Sequence, residues 1–297
     1  MKHVGLLVLG SFINSLGTGL SAFGLAVVIL RVYGTASSVA AVQMSAFAPI
    51  VLLAPLAGAL ADRYDRRLMM IIGDAGSILG LGIILAALSS PRPSLAWVCA
   101  GAVISSCLAA LTEPALRASV TDLVTEEDYV RSSGLLQLAS AAKYLLAPAA
   151  AGFLMPLVGV RGLLLLDAST CLVTVGCTMT VRRALAAGAS RRAAPQPGDD
   201  HDVLAGWRTI TTSPGLRTLV VLMTLATLAI GVIQVLIKPI LLPTVSTAEM
   251  GVVETVAAAG MLVGAALVTA WKSAQPTTLL AAGLAGTGVA MVPVPLA

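Results

Sequence analysis

Long apolar stretches recur along the chain, and they constrain its fold more than any other feature. A helix needs about 20 mostly apolar residues to cross the hydrocarbon core of a bilayer. Nine stretches of about that length occur, at 4–30, 38–61, 68–88, 95–117, 133–157, 162–181, 216–242, 251–271 and 277–296. Hydrophobic residues make up 58% of the 297 residues and charged residues only 11%, less than half the usual charged share of about 25%. The sequence therefore predicts an all-α, polytopic transmembrane bundle with about nine spans.

A polar stretch divides the apolar segments into two groups. Residues 183–213 are rich in Ala, Gly, Pro and charged side chains, a composition typical of a flexible linker. Because six spans precede it, we predict an N-terminal six-helix transmembrane bundle over 1–182, a cytoplasmic linker over 183–213 and a partial C-terminal transmembrane bundle over 214–297. The Asp and His residues at 199–202 lie in this linker without a rigid scaffold, so we predict no metal site there. No motif in the sequence indicates a cofactor.

Basic residues are distributed unevenly between the two sides of the membrane. If the loop at 62–67 is cytoplasmic, its side holds thirteen of the 18 Lys and Arg residues and the other side holds three, while Lys143 and Lys238 lie inside spans. Cytoplasmic loops carry an excess of Lys and Arg. We therefore predict a multi-pass protein of the inner (plasma) membrane with a cytoplasmic N-terminus. No basic run is long enough to indicate nucleic-acid binding.

The loop between the second and third spans is unusually charged, with five charges in the six positions 62–67. Residues 58–70 have the sequence GALADRYDRRLMM. This resembles the signature loop of the major facilitator superfamily, G-x-L-A-D-R-x-G-R-R/K-x-x-L, and departs from it at Asp65 and Met70. The matching positions are Gly58, Leu60, Ala61, Asp62, Arg63, Arg66 and Arg67.

The resemblance carries expectations about architecture and about this loop. Asp65, together with the layout of residues 113–137, is similar to a bacterial exporter branch that includes siderophore and macrolide efflux proteins. Members of the family rock two six-helix bundles around a central site. The resemblance implies that Asp62 meets the positive N-terminus of a helix in the second bundle, forming a conformational lock. The expected lock residues are Gly58, Asp62, Arg63, Arg66 and Arg67. The alternative is that these charges only anchor a short loop and set the topology.

A second element lies in the fifth span. Residues 146–154, LAPAAAGFL, resemble the G-P-x-x-G-G pattern in span five of many drug–proton antiporters. Pro148 and Gly152 match, whereas Ala147 and Ala151 replace glycines. The alternative is ordinary close packing of small residues between helices.

Charged side chains inside the spans indicate a structural or functional role, because placing a charge at the middle of the bilayer costs at least about 2.5–3.5 kcal/mol of free energy. Lys143 follows Arg131 by twelve residues, which places it about 18 Å into the membrane, and Asp167 enters from the other face to about the same level. We predict that Lys143 and Asp167 face the central cavity and pair. Lys238 is expected to reach the outer interface, within range of Glu254.

A further polar group is predicted nearer the cytoplasm. Glu113 precedes Arg117 by four residues, a spacing that favours an ion pair on one helix. Asp74 lies at a similar depth, so the three are expected to extend the lock; alternatively they form a buried network that only holds spans together. Asn14 and Gln137 either line the pathway or form hydrogen bonds between helices.

These features favour a secondary exporter. We predict a proton-driven antiporter that expels a small amphipathic molecule by alternating access, with Asp167, Asp74 or Glu113 as the coupling carboxylate. The sequence contains no Walker A motif to indicate ATP use, and no HExxH or GxSxG motif to indicate a membrane enzyme. Aromatic residues make up only 4% of the chain, so the substrate stays open, and so does export against import, because the signature loop occurs in both.

The number of spans raises a competing hypothesis. The family normally has twelve spans, whereas the chain shows nine apolar stretches. A chain lacking the last spans would lack the helix expected to meet Asp62. It would then be a truncated remnant that does not transport, or a subunit completed by a partner chain such as a second copy of itself.

Overall fold

The computed structural model describes residues 2–188 and 212–270 of the chain. In that part the backbone consists of helices and short connections, with no strand, and this confirms the all-α prediction. The helices are α1 (Lys2–Tyr33), α2 (Ala36–Arg63), α3 (Arg66–Ser89), α4 (Leu95–Ala109), α5 (Thr112–Leu123), α6 (Glu126–Leu145), α7 (Ala147–Gly188), α8 (Pro214–Leu241) and α9 (Thr247–Ala270).

Most of the predicted spans correspond to these helices. Within the described ranges, five stretches are long and apolar enough to cross a membrane: His3–Tyr33, Ala36–Ala61, Arg66–Ser89, Leu95–Leu123 and Ala147–Leu185. The fifth predicted span consists of α6 and the start of α7, and the sixth is the rest of α7. Helices α8 and α9 match the seventh and eighth spans. The ninth, at 277–296, lies outside the described residues.

Two of the predicted spans are broken where a continuous helix was expected. Helix α4 ends at Ala109 and α5 begins at Thr112. Helices α6 and α7 are separated at Leu146. In both cases a proline follows within a few residues, at Pro114 and Pro148. Proline lacks the N–H that would bond the carbonyl four residues earlier, and its ring crowds that carbonyl.

Helix α7 is interrupted by a kink between the fifth and sixth predicted spans. Gly159 has φ 65° and ψ 178° inside the range Ala147–Gly188. Positive φ is the region that glycine adopts without steric penalty. This residue therefore ends one helical part of α7 and starts the next.

The chain forms two compact units. The first comprises Met1–Ala194 together with Lys238–Thr255, and the second comprises Pro195–Ile237 together with Val256–Ala297. In the first unit, one apolar cluster lies where α1 ends, and a second lies where α1 begins. The fully buried side chains of these clusters include Ile29, Val39, Val98 and Leu164 in the first, and Leu7, Met70, Val120 and Val181 in the second. In the second unit, the described part of α8 exposes large apolar side chains such as Val221, Leu225 and Leu228.

Helices α3 and α4 pack with their backbones in close contact. A Cβ atom added to Gly80 would lie 2.5 Å from the Gly101 carbonyl oxygen, and one added to Gly101 would lie 2.8 Å from that of Gly80. Apolar lipid offers no hydrophobic drive for helix association, so helices in membranes associate where small residues allow such close packing. The pair Gly80 and Gly101 therefore sets the distance between α3 and α4.

The start of α3 is fixed by Asp65, one of the two departures from the signature loop. Its carboxylate accepts hydrogen bonds from the backbone N–H of Arg67 at 3.0 Å and of Leu68 at 3.4 Å. It also forms an ion pair with Arg182 of α7 at 2.9 Å. Partial burial acts to raise the pKa of Asp65, but the bonds from Arg182 and from the two backbone N–H groups outweigh it, so the pKa lies below its usual range.

We expect Gly80→Ala to lower the free energy of unfolding by about 1–3 kcal/mol, because the added methyl group overpacks the α3–α4 contact. Gly82, on the same helix, has no neighbouring atom within 4 Å of an added Cβ and supplies the matched control. Gly82→Ala should be neutral or stabilise the helix by up to about 1 kcal/mol. Thermal unfolding in detergent measures both; equal losses in the two variants would contradict the packing described for α3 and α4.

Asp65→Ala should cost about 1 kcal/mol through loss of the helix cap, whereas Asp65→Asn keeps the cap and removes only the charge. Because the pKa of Asp65 is lowered on folding, the charge stabilises the fold above the ordinary carboxyl pKa of about 3.9 and stops doing so as the pH falls through the lowered value. The difference in melting temperature between wild type and Asp65→Asn should therefore be constant near neutral pH and shrink in acid. A difference that grows in acid would overturn this account of Asp65.

Candidate functional site

Two carboxylates are buried inside the first unit, one on α3 and one on α7. Asp74 is 2% exposed and Asp167 is 4% exposed. Oδ1 of Asp74 accepts hydrogen bonds from Oγ1 of Thr112 at 3.1 Å and from Nδ2 of Asn14 at 3.5 Å. The Ser21 hydroxyl donates to Oδ2 of Asp167. Each acid is thus held by neutral groups of neighbouring helices.

Helix α1 connects the two acids. Asn14 contacts Asp74, and its Oδ1 accepts a bond of 3.5 Å from the Cys171 thiol, one turn beyond Asp167 on α7. Ser21 contacts Asp167 from a position seven residues after Asn14, so the two lie on the same face of α1. Between them is Gly17, where an added Cβ would lie 2.9 Å from Oδ1 of Asp167. Asn14, Gly17 and Ser21 therefore form a polar strip between α3 and α7.

The second oxygen of each carboxylate has no hydrogen-bond partner among the residues that the structure describes. In the described ranges, Oδ2 of Asp74 and Oδ1 of Asp167 are buried and accept no hydrogen bond. None of the ion pairs found in the same ranges involves either acid. Burying an ionised carboxylate without a cation is strongly unfavourable. The arrangement can therefore hold a proton, or another cation, that arrives and leaves during function.

The structure places Lys143 and Asp167 at the same level but does not pair them. The backbone of Lys143 lies against Gly19, and Asp167 lies against Gly17 of the same helix. The Lys143 ammonium lies 4.9 Å from the centroid of the Tyr144 ring, while Asp167 accepts from Ser21. The other residue of α6 predicted to line the pathway, Gln137, is exposed.

Asp74 does not join the predicted Glu113–Arg117 group. Glu113 and Arg117 form the expected ion pair, at 2.7 Å, on an exposed face of α5. Asp74 instead accepts a hydrogen bond from Thr112, the first residue of α5. Gly73 allows α3 to come this close to the α4–α5 break, because a Cβ at position 73 would lie only 2.8 Å from the Leu108 carbonyl oxygen.

The described contacts of the signature loop lie within the first unit. Arg66 forms an ion pair with Asp122 of α5 at 2.5 Å and donates to the Ala118 carbonyl at 3.1 Å. Arg63 is exposed, and no atom lies within 4 Å of a Cβ added to Gly58. The Nε of Arg67 is buried without a partner among the described residues. The side chain of Asp62 lies outside the described part, so its contact with a second bundle stays a prediction.

The antiporter-like element packs backbone against backbone with the start of α9. A Cβ added to Gly152 would lie 2.8 Å from the Thr247 carbonyl oxygen. A Cβ added to Gly251 would overlap the Pro148 carbonyl oxygen. Pro148 and Gly152 therefore form one side of a helix crossing. The other side includes Gly251, which was not predicted from the sequence.

Ser21 and Thr112 were not among the site residues predicted from the sequence. Their positions carried a usable signal. Asn14, Gly17 and Ser21 repeat at spacings of three and seven along α1, which puts them on one helical face. Thr112 lies two residues before Pro114, where a break in the helix is expected.

Comparisons with known proteins identify the family. The sequence model of the Major Facilitator Superfamily matches residues 7–297. A crystal structure of an auto-inhibited POT family peptide transporter is similar to the chain, with a TM-score of 0.51 and 15% sequence identity, over 94% of this chain and 55% of that one. The chain thus spans about half the length of that transporter, and the likeness shows the shared fold. Among curated proteins, none matches the sequence. The chain belongs to the major facilitator superfamily, a family of membrane transporters rather than enzymes.

Proposed function

We propose that the protein is a secondary active transporter that exchanges protons for a small amphipathic molecule, with Asp74 and Asp167 as the proton-carrying groups. One observation carries the proposal: two carboxylates on different helices are at most 4% exposed and each keeps one oxygen without a hydrogen bond in the described part of the chain. Family membership supports transport. Coupling requires a site that is stable when protonated and unfavourable when it is charged with no cation bound. The two buried acids supply such a site.

The polar strip on α1 gives the two acids a common response. Asn14 contacts Asp74 directly and reaches α7 through Cys171, and Ser21 contacts Asp167. When a proton leaves either acid, the charge left behind attracts a cation or water and favours an arrangement in which the strip is hydrated. Protonation removes the charge, so the strip no longer needs water, and it favours the closed, buried arrangement seen in the structure. Proton binding can in this way bias the protein between two states, as coupling needs.

Direction and membrane placement rest on the sequence. The excess of basic residues on the side of the 62–67 loop supports a cytoplasmic N-terminus in a bacterial inner membrane. The resemblance of the signature loop and of Pro148 and Gly152 to antiporter patterns supports efflux. The predicted division into a six-helix bundle over 1–182, a linker and a partial second bundle over 214–297 supports alternating access about a central site.

A second candidate is a subunit that transports only when completed by another chain. The observation that favours it is coverage: the match takes up 94% of this chain but 55% of the POT family transporter. Such a chain would need a second copy or the remainder of a longer product to form two full bundles. Transport by the 297-residue chain as a monomer would rule out this candidate.

Asp74→Asn and Asp167→Asn should each abolish coupled transport. Everted membrane vesicles energised by a pH gradient, with ethidium fluorescence as the probe, measure accumulation driven by the wild-type chain. Glu113→Gln removes an exposed acid of the same unit and should keep the wild-type rate. The proposal fails if both Asn variants accumulate the dye as fast as wild type and remain sensitive to collapse of the pH gradient.

A further inference from the structure

A cavity of about 520 Å³ lies in the first unit, at the end where α1 ends. Neither Asp74 nor Asp167 lines it. Its volume is within the range of about 300–1,000 Å³ that is typical of sites for small organic ligands. The lining includes Val28, Arg31, Met155, Pro156, Val160 and Thr247. The cavity is thus mostly apolar, and Arg31 is the charged side chain in its wall.

The guanidinium group of Arg31 is held in place but is not neutralised. From the last turn of α1, it donates from Nη2 to Oγ1 of Thr247, which is 7% exposed. Arg31 takes part in none of the ion pairs found in the described ranges. Because a guanidinium has five N–H donors, several of them remain for an anion that enters the cavity.

The acids of the neighbouring segment are engaged elsewhere. Oε2 of Glu249 accepts the backbone N–H of Ser246 at 2.7 Å, which caps the start of α9. Oε1 of Glu254 lies 2.5 Å from the ammonium of Lys238. The contact between Lys238 and Glu254 expected from the sequence is therefore confirmed, but Lys238 is 7% exposed and so is buried rather than at the interface. Neither acid pairs with Arg31.

The wall formed by α7 continues onto the apolar surface of that helix. Pro156 lines the cavity and is exposed. The next two residues, Leu157 and Val158, are 80% and 44% exposed. They belong to the stretch Ala147–Leu185, which is long and apolar enough to cross a membrane. Lipid tails are as apolar as these side chains, so the cavity lies within reach of acyl chains.

These features restrict the chemistry of a ligand. A free inorganic anion would exchange its hydration for largely apolar walls and a single cation, which is unfavourable. A zwitterionic phospholipid carries its own cation, which competes with Arg31 for the phosphate. A phospholipid with a net negative charge fits both parts of the cavity. Guanidinium groups bind phosphate oxygens through paired hydrogen bonds, and an acyl chain covers the apolar walls.

We propose that this cavity binds one anionic phospholipid, whose phosphate contacts Arg31 and whose acyl chain lies against Met155, Pro156 and Val160. The lipid links α1, α7 and the start of α9, the elements that line the cavity. With the orientation predicted from the basic residues, it comes from the outer leaflet. This lipid site goes beyond proton coupling and does not depend on it.

Native mass spectrometry of the delipidated, purified full chain counts the lipids that stay bound. Phosphatidylglycerol and phosphatidylcholine with identical acyl chains are added in turn. The wild-type chain should bind one phosphatidylglycerol about tenfold or more tightly than phosphatidylcholine. Arg31→Gln should abolish this preference. Ala248→Phe places a ring in the wall of the cavity and should weaken the binding of both lipids.

Arg92→Gln supplies the matched control, because Arg92 is an exposed cation of the connection between α3 and α4 and does not line the cavity. It should leave the preference within about twofold of the wild-type value. Wild-type affinity for phosphatidylglycerol in Arg31→Gln would overturn the site. Equal losses in Arg31→Gln and Arg92→Gln would also overturn it, because they would show a general attraction to positive charge.

Two further ligands test the source of the anion. Displacement of phosphatidylglycerol by an equal concentration of inorganic phosphate, or tighter binding of oleate than of phosphatidylglycerol, would overturn a phospholipid as the occupant. Thermal unfolding shows which variants fold. If Arg31→Gln does not fold, unchanged lipid binding by folded Ala248→Phe overturns the site. Because the measurement counts bound lipid, its failure is distinct from failure of proton-coupled transport.

Discussion

Hydrocarbon offers no hydrogen-bond partner, and this constraint determines how the interior of the first unit is built. Every polar group between the helices must find a partner on another helix or remain unsatisfied at a cost of several kcal/mol. Asn14 and Ser21 meet this requirement from α1, and Thr112 meets it from the start of α5. Among the described residues, the buried side-chain atoms that still lack a hydrogen bond include one oxygen of Asp74 and one of Asp167. Their burial supports our proposal that these two acids form the functional centre of the unit.

The helices themselves were largely predictable, because crossing a bilayer requires about 20 apolar residues and the sequence alternates such stretches with short polar ones. The breaks at Leu111 and Leu146 were not predicted, although Pro114 and Pro148 lie close by. A proline in a membrane helix produces a slight bend or a true break depending on what the neighbouring helix offers to the freed groups. At the α4–α5 break that neighbour is α3, where Gly73 permits the approach. A local sequence pattern does not show what a neighbouring helix offers, so it cannot predict these breaks.

The site was predictable to the level of residue type and depth. Asp74, Asp167 and Asn14 stood out because polar side chains are rare in apolar spans. Depth placed Lys143 level with Asp167, and both do lie against neighbouring positions of α1. Pairing also depends on how each helix is rotated about its own axis, and the rise per residue gives no information about that rotation. That missing rotation is why Asp167 was assigned to Lys143 and is found with Ser21, and why Asp74 was grouped with Arg117 and is found with Thr112.

Infrared difference spectroscopy of the purified chain, recorded across a pH step, can show whether Asp74 and Asp167 exchange protons, because a protonated carboxyl group in an apolar site has its own carbonyl stretching band. We expect pH-dependent carboxyl bands that are lost in Asp74→Asn and in Asp167→Asn and retained in Glu113→Gln. Difference spectra that are the same in the wild type and in both Asn variants would show that neither acid exchanges a proton, and would contradict the account.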